Sequence, residues 1–162
     1  MIILVVLENI EKAYKAQEVS PRIYDFIRQQ EKDPANKGHN GVVVVGLNSG
    51  REIVDVVEGM FEEDDNAPHF SLLSVEADPL DIGDDYQESM ESPLAIWKND
   101  SSNLDGKLVI LVDYAIKTGK SAFFALNELV SLGRPKYTRL VVVEDTVGER
   151  NYPIQPDKKL PL

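Results

Sequence analysis

The sequence predicts an α/β fold, a parallel-core sheet flanked by helices, in a single domain spanning residues 1–162. Three observations carry that expectation. Leu108 to Val112 and Val42 to Val45 are unbroken apolar runs rich in Val and Ile, the pattern of strands buried on both faces. Each run leads into a glycine turn: Gly46-Leu47-Asn48-Ser49-Gly50 after one, Lys117-Thr118-Gly119-Lys120-Ser121 after the other. Each turn precedes a segment of helical apolar spacing. Two such strand–turn–helix units make a parallel crossover sheet, with right-handed connections expected.

The elements follow in order. Met1 to Leu7 is a short strand or the apolar lead-in to a helix, and Ile10, Ala13 and Tyr14 continue with helical spacing. Ser20-Pro21 has the form of an N-cap followed by proline at the first position of a second helical segment, with Ile23, Tyr24, Phe26 and Ile27 as its apolar face. Lys32 to Asn40 is a polar loop. After Val42 to Val45 and its turn, Ile53, Val54, Val57 and Met60 line a helix. Phe70 to Val75 is a further strand. Glu76 to Asp105 is irregular and acidic, with Leu94 to Trp97 as a short strand or lid anchor. Then come the Leu108 to Val112 strand and a helix with Ala122, Phe123, Ala125, Leu126, Leu129 and Val130 on or near one face. Gly133 and Pro135 end that helix. Tyr137 to Val143 is the last strong strand.

Composition narrows the function classes. The 162 residues suffice for one domain with a proper core, and the 43% hydrophobic fraction is that of an ordinary globular protein. The chain has no cysteine, which excludes disulfides and thiolate chemistry. His39 and His69 are far apart in loop-like surroundings, so no histidine metal site is expected. A net charge of −11 opposes nonspecific nucleic-acid binding, and RNA is not an expected partner. The apolar Met1 to Leu7 is far too short to span a membrane and lacks the flanks of a leader. A cytoplasmic location without membrane contact is therefore expected.

The turn at 117–121 carries the most chemistry. Ligands of open α/β sheets sit at the carboxyl ends of strands, and the first amides of a helix favour an anion. Gly119 can take positive φ, Thr118 and Ser121 offer hydroxyls, and Lys120 supplies charge. The plainer alternative is that Ser121 caps the helix and Thr118 fills the turn. A nucleoside-triphosphate P-loop is excluded, because Tyr114 stands where that motif needs its first glycine.

The run Leu108 to Val112, Asp113 and then Thr118-Gly119-Lys120-Ser121 resembles the phosphoribosyl-pyrophosphate (PRPP) motif of type I phosphoribosyltransferases. Leu132-Gly133-Arg134-Pro135, the Leu140 to Val143 run and Pro153-Ile154-Gln155-Pro156-Asp157 are similar to the PyrR family of pyrimidine attenuators and uracil phosphoribosyltransferases. The resemblance covers about Gly106 to Asp157 and extends more weakly back to Val42. It implies a type I phosphoribosyltransferase-like, Rossmann-like domain. The implied ligand is PRPP or a nucleotide, with Mg2+ if PRPP is bound, and a homo-oligomer fits the same picture. By resemblance, Thr118, Gly119, Lys120 and Ser121 cradle the 5′-phosphate. Asp113 and Tyr114 hold the ribose, with Asp113 as the catalytic candidate. Asn48, Ser49 and Gly50 form the pyrophosphate loop, and Lys117 and Asp157 line the base pocket. No side chain is assigned as a metal ligand.

Several positions depart from that family pattern. Tyr114 replaces an acid and brings no negative charge at neutral pH. Asn48 and Ser49 stand where relatives carry Lys or Arg, with Arg51 as the nearest substitute. Lys158 follows Asp157 in place of a stacking aromatic residue, and Thr146 stands in place of an arginine. The acids between Glu76 and Glu91 repel pyrophosphate. The sequence thus implies a phosphoribosyltransferase fold binding a ribose 5-phosphate group at 113–121 with a degenerate catalytic site. An active divergent transferase, moving ribose 5-phosphate from PRPP to a nucleobase, is the alternative. On the degenerate reading, Tyr114→Asp with Asn48→Lys is expected to restore part of the activity.

Overall fold

The computed structural model describes residues 2–47, 50–65, 70–77, 94–97, 104–116, 119–145 and 156–159. Helices α1 (Ile2–Lys32), α2 (Gly50–Glu63) and α3 (Lys120–Leu132) surround one sheet. Its strands are β1 (Val42–Leu47), β2 (Phe70–Ala77), β3 (Leu94–Trp97), β4 (Leu108–Ile116), β5 (Tyr137–Asp145) and β6 (Lys158–Lys159), in the order β3-β2-β1-β4-β5-β6. β2, β1, β4, β5 and β6 run parallel, and β3 pairs antiparallel to β2 at one edge. The α/β class with a parallel core is therefore as the sequence predicts, and Leu108–Val112 lies at its centre, between β1 and β5.

Alternation along the strands splits the core into two layers. Val42, Val44, Leu108, Ile110, Val112, Val141 and Val143 meet α1 and α2, through Ile23, Ile27, Ile53 and Val57 among others. Val43, Val45, Leu47, Val109, Leu111, Leu140 and Val142 meet α3 on the other face, through Ala122, Phe124, Ala125 and Leu129. Strands buried on both faces need no polar side, which is why they read as continuous apolar runs.

Several local expectations change. α1 is one continuous helix with Pro21 inside it, not two segments capped at Ser20. Ser20 is buried, and its hydroxyl donates back to the Ala16 carbonyl instead of capping a new helix. Its neighbours Ala16, Val19 and Ile23 are all core residues, so tertiary burial holds the helix through a residue that costs it a hydrogen bond. β2 runs on to Ala77, so Glu76 belongs to a strand, paired with Ala95 of β3, not to a loop. Phe61 supplies the buried aromatic of α2, where Met60 is only half-buried. On α3 it is Phe124 that is buried, while Val130 is 52% exposed.

Strand order explains where a ligand belongs. From β1 the chain moves outward through α2 to β2 and β3, then returns to β4 on the other side of β1. From β4 it moves outward again through α3 on the opposite face. β1 and β4 thus flank the topological switch point, where the two following helices diverge and leave a crevice at the strand ends.

Candidate functional site

Two glycines close the β1 side of that crevice. A Cβ on Gly46 would lie 2.8 Å from the Cα of Arg51. A Cβ on Gly50 would overlap the Val112 carbonyl, 2.7 Å from its carbon and 3.0 Å from the Cα of Asp113. The first turn of α2 therefore rests directly on β4 at Val112–Asp113. From the sequence, Gly50 is expected to donate its amide in the pyrophosphate loop. The structure shows it buried at the helix–strand contact, as the residue that allows that approach. Asn48 and Ser49, the rest of the expected pyrophosphate loop, lie outside the described residues.

On the β4 side, the chain stays extended through Ile116, with Asp113 opposite Val142 and Ala115 opposite Glu144 of β5. Asp113 is 6% exposed. Its Oδ1 accepts from the Tyr114 amide at 2.8 Å. Burial pushes its carboxyl up to about 7, against the amides of Tyr114 and Ala115, which favour the charged form. Tyr114 belongs to the opposite face, in the apolar layer under α1 and α2. Its hydroxyl donates to Glu144 Oε1 at 3.4 Å, a long bond. The structure thus does not bring Asp113 and Tyr114 to one side of the sheet. Glu144 is a neighbour that sequence reasoning missed, because only cross-strand register brings it beside Tyr114.

The turn expected to hold a phosphate is described from Gly119 onward; Lys117 and Thr118 lie outside the described residues. Gly119 is buried and left-handed, with φ 87°, so the positive φ expected of it is present. It caps α3 without a side-chain hydrogen bond. Ser121 does not cap the helix, because α3 already begins at Lys120. The Phe123 amide donates the first helical bond, to the Gly119 carbonyl at 2.9 Å. The amides of Lys120, Ser121 and Ala122 stand ahead of that rung, at the positive end of the helix.

Asp157 sits elsewhere. Its amide donates to the Leu140 carbonyl at 2.8 Å, and its Oδ2 accepts from the Leu140 amide at 2.7 Å. This clamp starts β6 against the middle of β5, two residues short of the Val142 level at which Asp113 lies. Among the described residues no group of three or more His, Cys, Asp or Glu side chains could hold a metal ion. No helix among the described residues is long and apolar enough to cross a membrane.

The raised Asp113 carboxyl predicts a pH-dependent stability. The folded state holds this proton more tightly than the unfolded chain does. The resulting stabilisation is complete below about pH 4 and is lost as pH rises through about 7. Relative to Asp113→Asn, the wild type should lose about 2–4 kcal/mol of unfolding free energy between pH 4 and pH 8. Urea unfolding of both proteins across that range measures it. Parallel pH curves would show that Asp113 does not titrate in this way.

No family profile matches the chain. The bifunctional protein PyrR of Thermoanaerobacter sp. (strain X514) is 34% identical over 128 residues, covering 75% of this chain and 67% of that protein. The bifunctional protein PyrR of Brevibacillus brevis is 30% identical over 129 residues, covering 78% and 70%. A hypoxanthine phosphoribosyltransferase of Staphylococcus aureus matches the fold with TM-score 0.55 and 15% identity, over 92% of this chain and 74% of that one. The Trypanosoma cruzi enzyme in complex with IMP matches with TM-score 0.51 and 17% identity, over 93% and 74%. The solved structures establish the fold; the sequence relatives establish the kinship. This chain belongs to the PyrR family of type I phosphoribosyltransferases.

Proposed function

We propose that this protein binds the ribose 5-phosphate group of PRPP or a nucleotide at 113–121, with a degenerate transferase site. The observation that carries the reading is Gly119. It is a left-handed residue at the N-cap of a helix, where it has no side chain to cap with, and that helix follows the central strand bearing a buried carboxyl group. Amides at such a helix start suit a phosphate, and the flanking Thr118, Lys120 and Ser121 add hydroxyls and charge. Asp113 accepts a hydrogen bond from the sugar. Lys117 and Asp157 remain the candidates for the base side, and Asn48, Ser49 and Gly50 for the diphosphate side. Magnesium, where PRPP is the ligand, arrives on the diphosphate.

The reading is tested at Gly119. Gly119→Val places a β-branched residue in the left-handed region, which costs about 1–2 kcal/mol per residue. Escape from that region reorients the helix start. Binding of ribose 5-phosphate should fall at least about tenfold while the circular dichroism spectrum stays that of the wild type. A wild-type protein with no affinity for inorganic phosphate, ribose 5-phosphate or any nucleoside monophosphate would defeat the proposal.

Kinship with the PyrR proteins favours a second reading, an active transferase moving ribose 5-phosphate from PRPP to a nucleobase. Release of pyrophosphate from PRPP in the presence of a base separates the two.

A further inference from the structure

We propose that the amino end of the sheet, opposite the ligand crevice, is a self-complementary charged surface on which a second copy of this chain docks. Each copy lays its basic loops against the acidic end of α2 in the other. The ribose 5-phosphate reading is not needed for this.

Three loops meet at that end, ahead of β1, β4 and β5, where Val42, Leu108 and Tyr137 stand level. Backbone bonds lace them together. The Asn40 amide donates to the Gly106 carbonyl at 3.0 Å, the Gly106 amide to the Arg134 carbonyl at 2.9 Å and the Lys136 amide to the Lys107 carbonyl at 2.9 Å. The Tyr137 hydroxyl donates to the Lys37 carbonyl at 2.8 Å. The surface they form is basic. Lys32, Lys37, Arg134 and Lys136 are exposed on it, and Lys107 and Arg139 are half-buried. Lys136 and Arg139 both approach the Tyr137 ring, at 5.9 and 5.6 Å from its centre. The acids of these segments are Asp33 and Asp105, and each accepts from a backbone amide, of Ala35 and of Arg134. A chain with a net charge of −11 thus gathers six cations against two acids in these loops.

The acidic counterpart lies at the same end. α2 runs from the carboxyl end of β1 to the amino end of the parallel β2. Glu62, Glu63, Asp64 and Asp65 therefore close it beside the loops. Glu62, Glu63 and Asp65 are exposed, and Asp64 accepts from the Tyr24 hydroxyl. None of the residues in the last turn of α2 is basic. A helix carries partial negative charge at its carboxyl end, so cations stabilise that end and acids oppose it. Four successive acids stand against the dipole here, a conflict that a cationic partner relieves. The connecting residues 66–69 and 98–103 add only Lys98 and Asp100, whose formal charges cancel.

Strand order sets the two patches side by side. β2 and β5 are three strands apart, about 14 Å. A uniform polyanion drawn to the basic loops meets repulsion from the end of α2. A second copy turned about a two-fold axis meets attraction twice, because an isologous contact sets each patch against its opposite. Mixed charge on one surface therefore favours a copy of the chain over a nucleic acid.

Sedimentation equilibrium of the full chain at about 50 mM and about 500 mM salt tests this. Dimer should form at the lower salt. Its association constant should fall at least about tenfold at the higher, where the screening length drops from about 14 Å to about 4 Å. Lys37→Glu with Lys136→Glu, and separately Glu62→Lys with Glu63→Lys, should each weaken association at least about tenfold. An equimolar mixture of the two variants should recover it, since every reversed patch then faces its opposite. Recovery also shows that both variants fold. Lys37→Gln with Lys136→Gln, which adds no acid to the chain, should weaken association in the same direction. A mass that does not respond to salt overturns the proposal. So does association that survives both reversals, or that fails to return in the mixture. Binding of polyuridylate by a wild type that stays monomeric overturns it as well, and gives the basic loops to a polyanion.

Discussion

Gly50→Ala should destabilise the protein by about 3 kcal/mol or more, the upper range for forcing extra volume into a packed interior. The added methyl would overlap the Val112 carbonyl and lie 3.0 Å from the Cα of Asp113. Neither neighbour can yield easily, because both are backbone of the central strand. Relief requires lifting the first turn of α2 from β4, which also opens the core around Ile53, Val54 and Val57. Gly59→Ala is the internal control: a Cβ there meets nothing within 4 Å, and alanine is the better helix former by about 1 kcal/mol. Urea unfolding of both variants measures the contrast. A Gly50→Ala protein within 1 kcal/mol of the wild type would show that the α2–β4 contact yields.

Turnover carries the second large expectation. Uracil phosphoribosyltransferase activity should be far below the 1 s⁻¹ that marks the low end of typical enzymes. Loss of one transition-state electrostatic contact costs about 10²–10³ in rate, and the positions that the family resemblance assigns to ribose and pyrophosphate, Tyr114 and Asn48, both depart from the family pattern. Such losses overlap where groups act as a unit. Pyrophosphate release from PRPP with uracil, then with other bases, is the measurement. Turnover of about 1 s⁻¹ or more would establish the active reading.

The structure also revises the expected repair. Tyr114→Asp together with Asn48→Lys looks restorative from sequence, because it returns an acid and a cation to family positions. In the fold, Tyr114 is packed among Val112, Val143 and the α1–α2 layer. An aspartate there replaces a buried aromatic ring with a carboxyl in an apolar layer, beside Glu144. Loss of the ring alone costs about 3–5 kcal/mol, and burying the acid adds to it. The double variant should therefore melt well below the wild type without gaining activity. Recovered pyrophosphate release with an unchanged melting temperature would place Tyr114 at the ribose after all.

The sequence by itself determined what is local. A strand buried on both faces must be apolar at every position, so β1 and β4 were legible as Val42 to Val45 and Leu108 to Val112 without any partner in view. Gly119 was legible because a turn that hands a strand to a helix needs positive φ, and only glycine takes it freely. Tertiary structure decided what depends on a neighbour distant in the chain. Pro21 reads as a helix start, but burial of Ala16, Val19 and Ile23 carries α1 past it. Gly50 reads as a loop donor, yet the backbone of Val112, sixty-two residues on, is what requires it to be glycine. Asp157 reads as a base contact, yet both of its described bonds go to Leu140. Asp113 and Tyr114 read as a pair because they are adjacent, and an extended strand is the conformation in which adjacent side chains part. Pairing with β5 keeps β4 extended through Ile116, so the partner strand, not the motif, separates them.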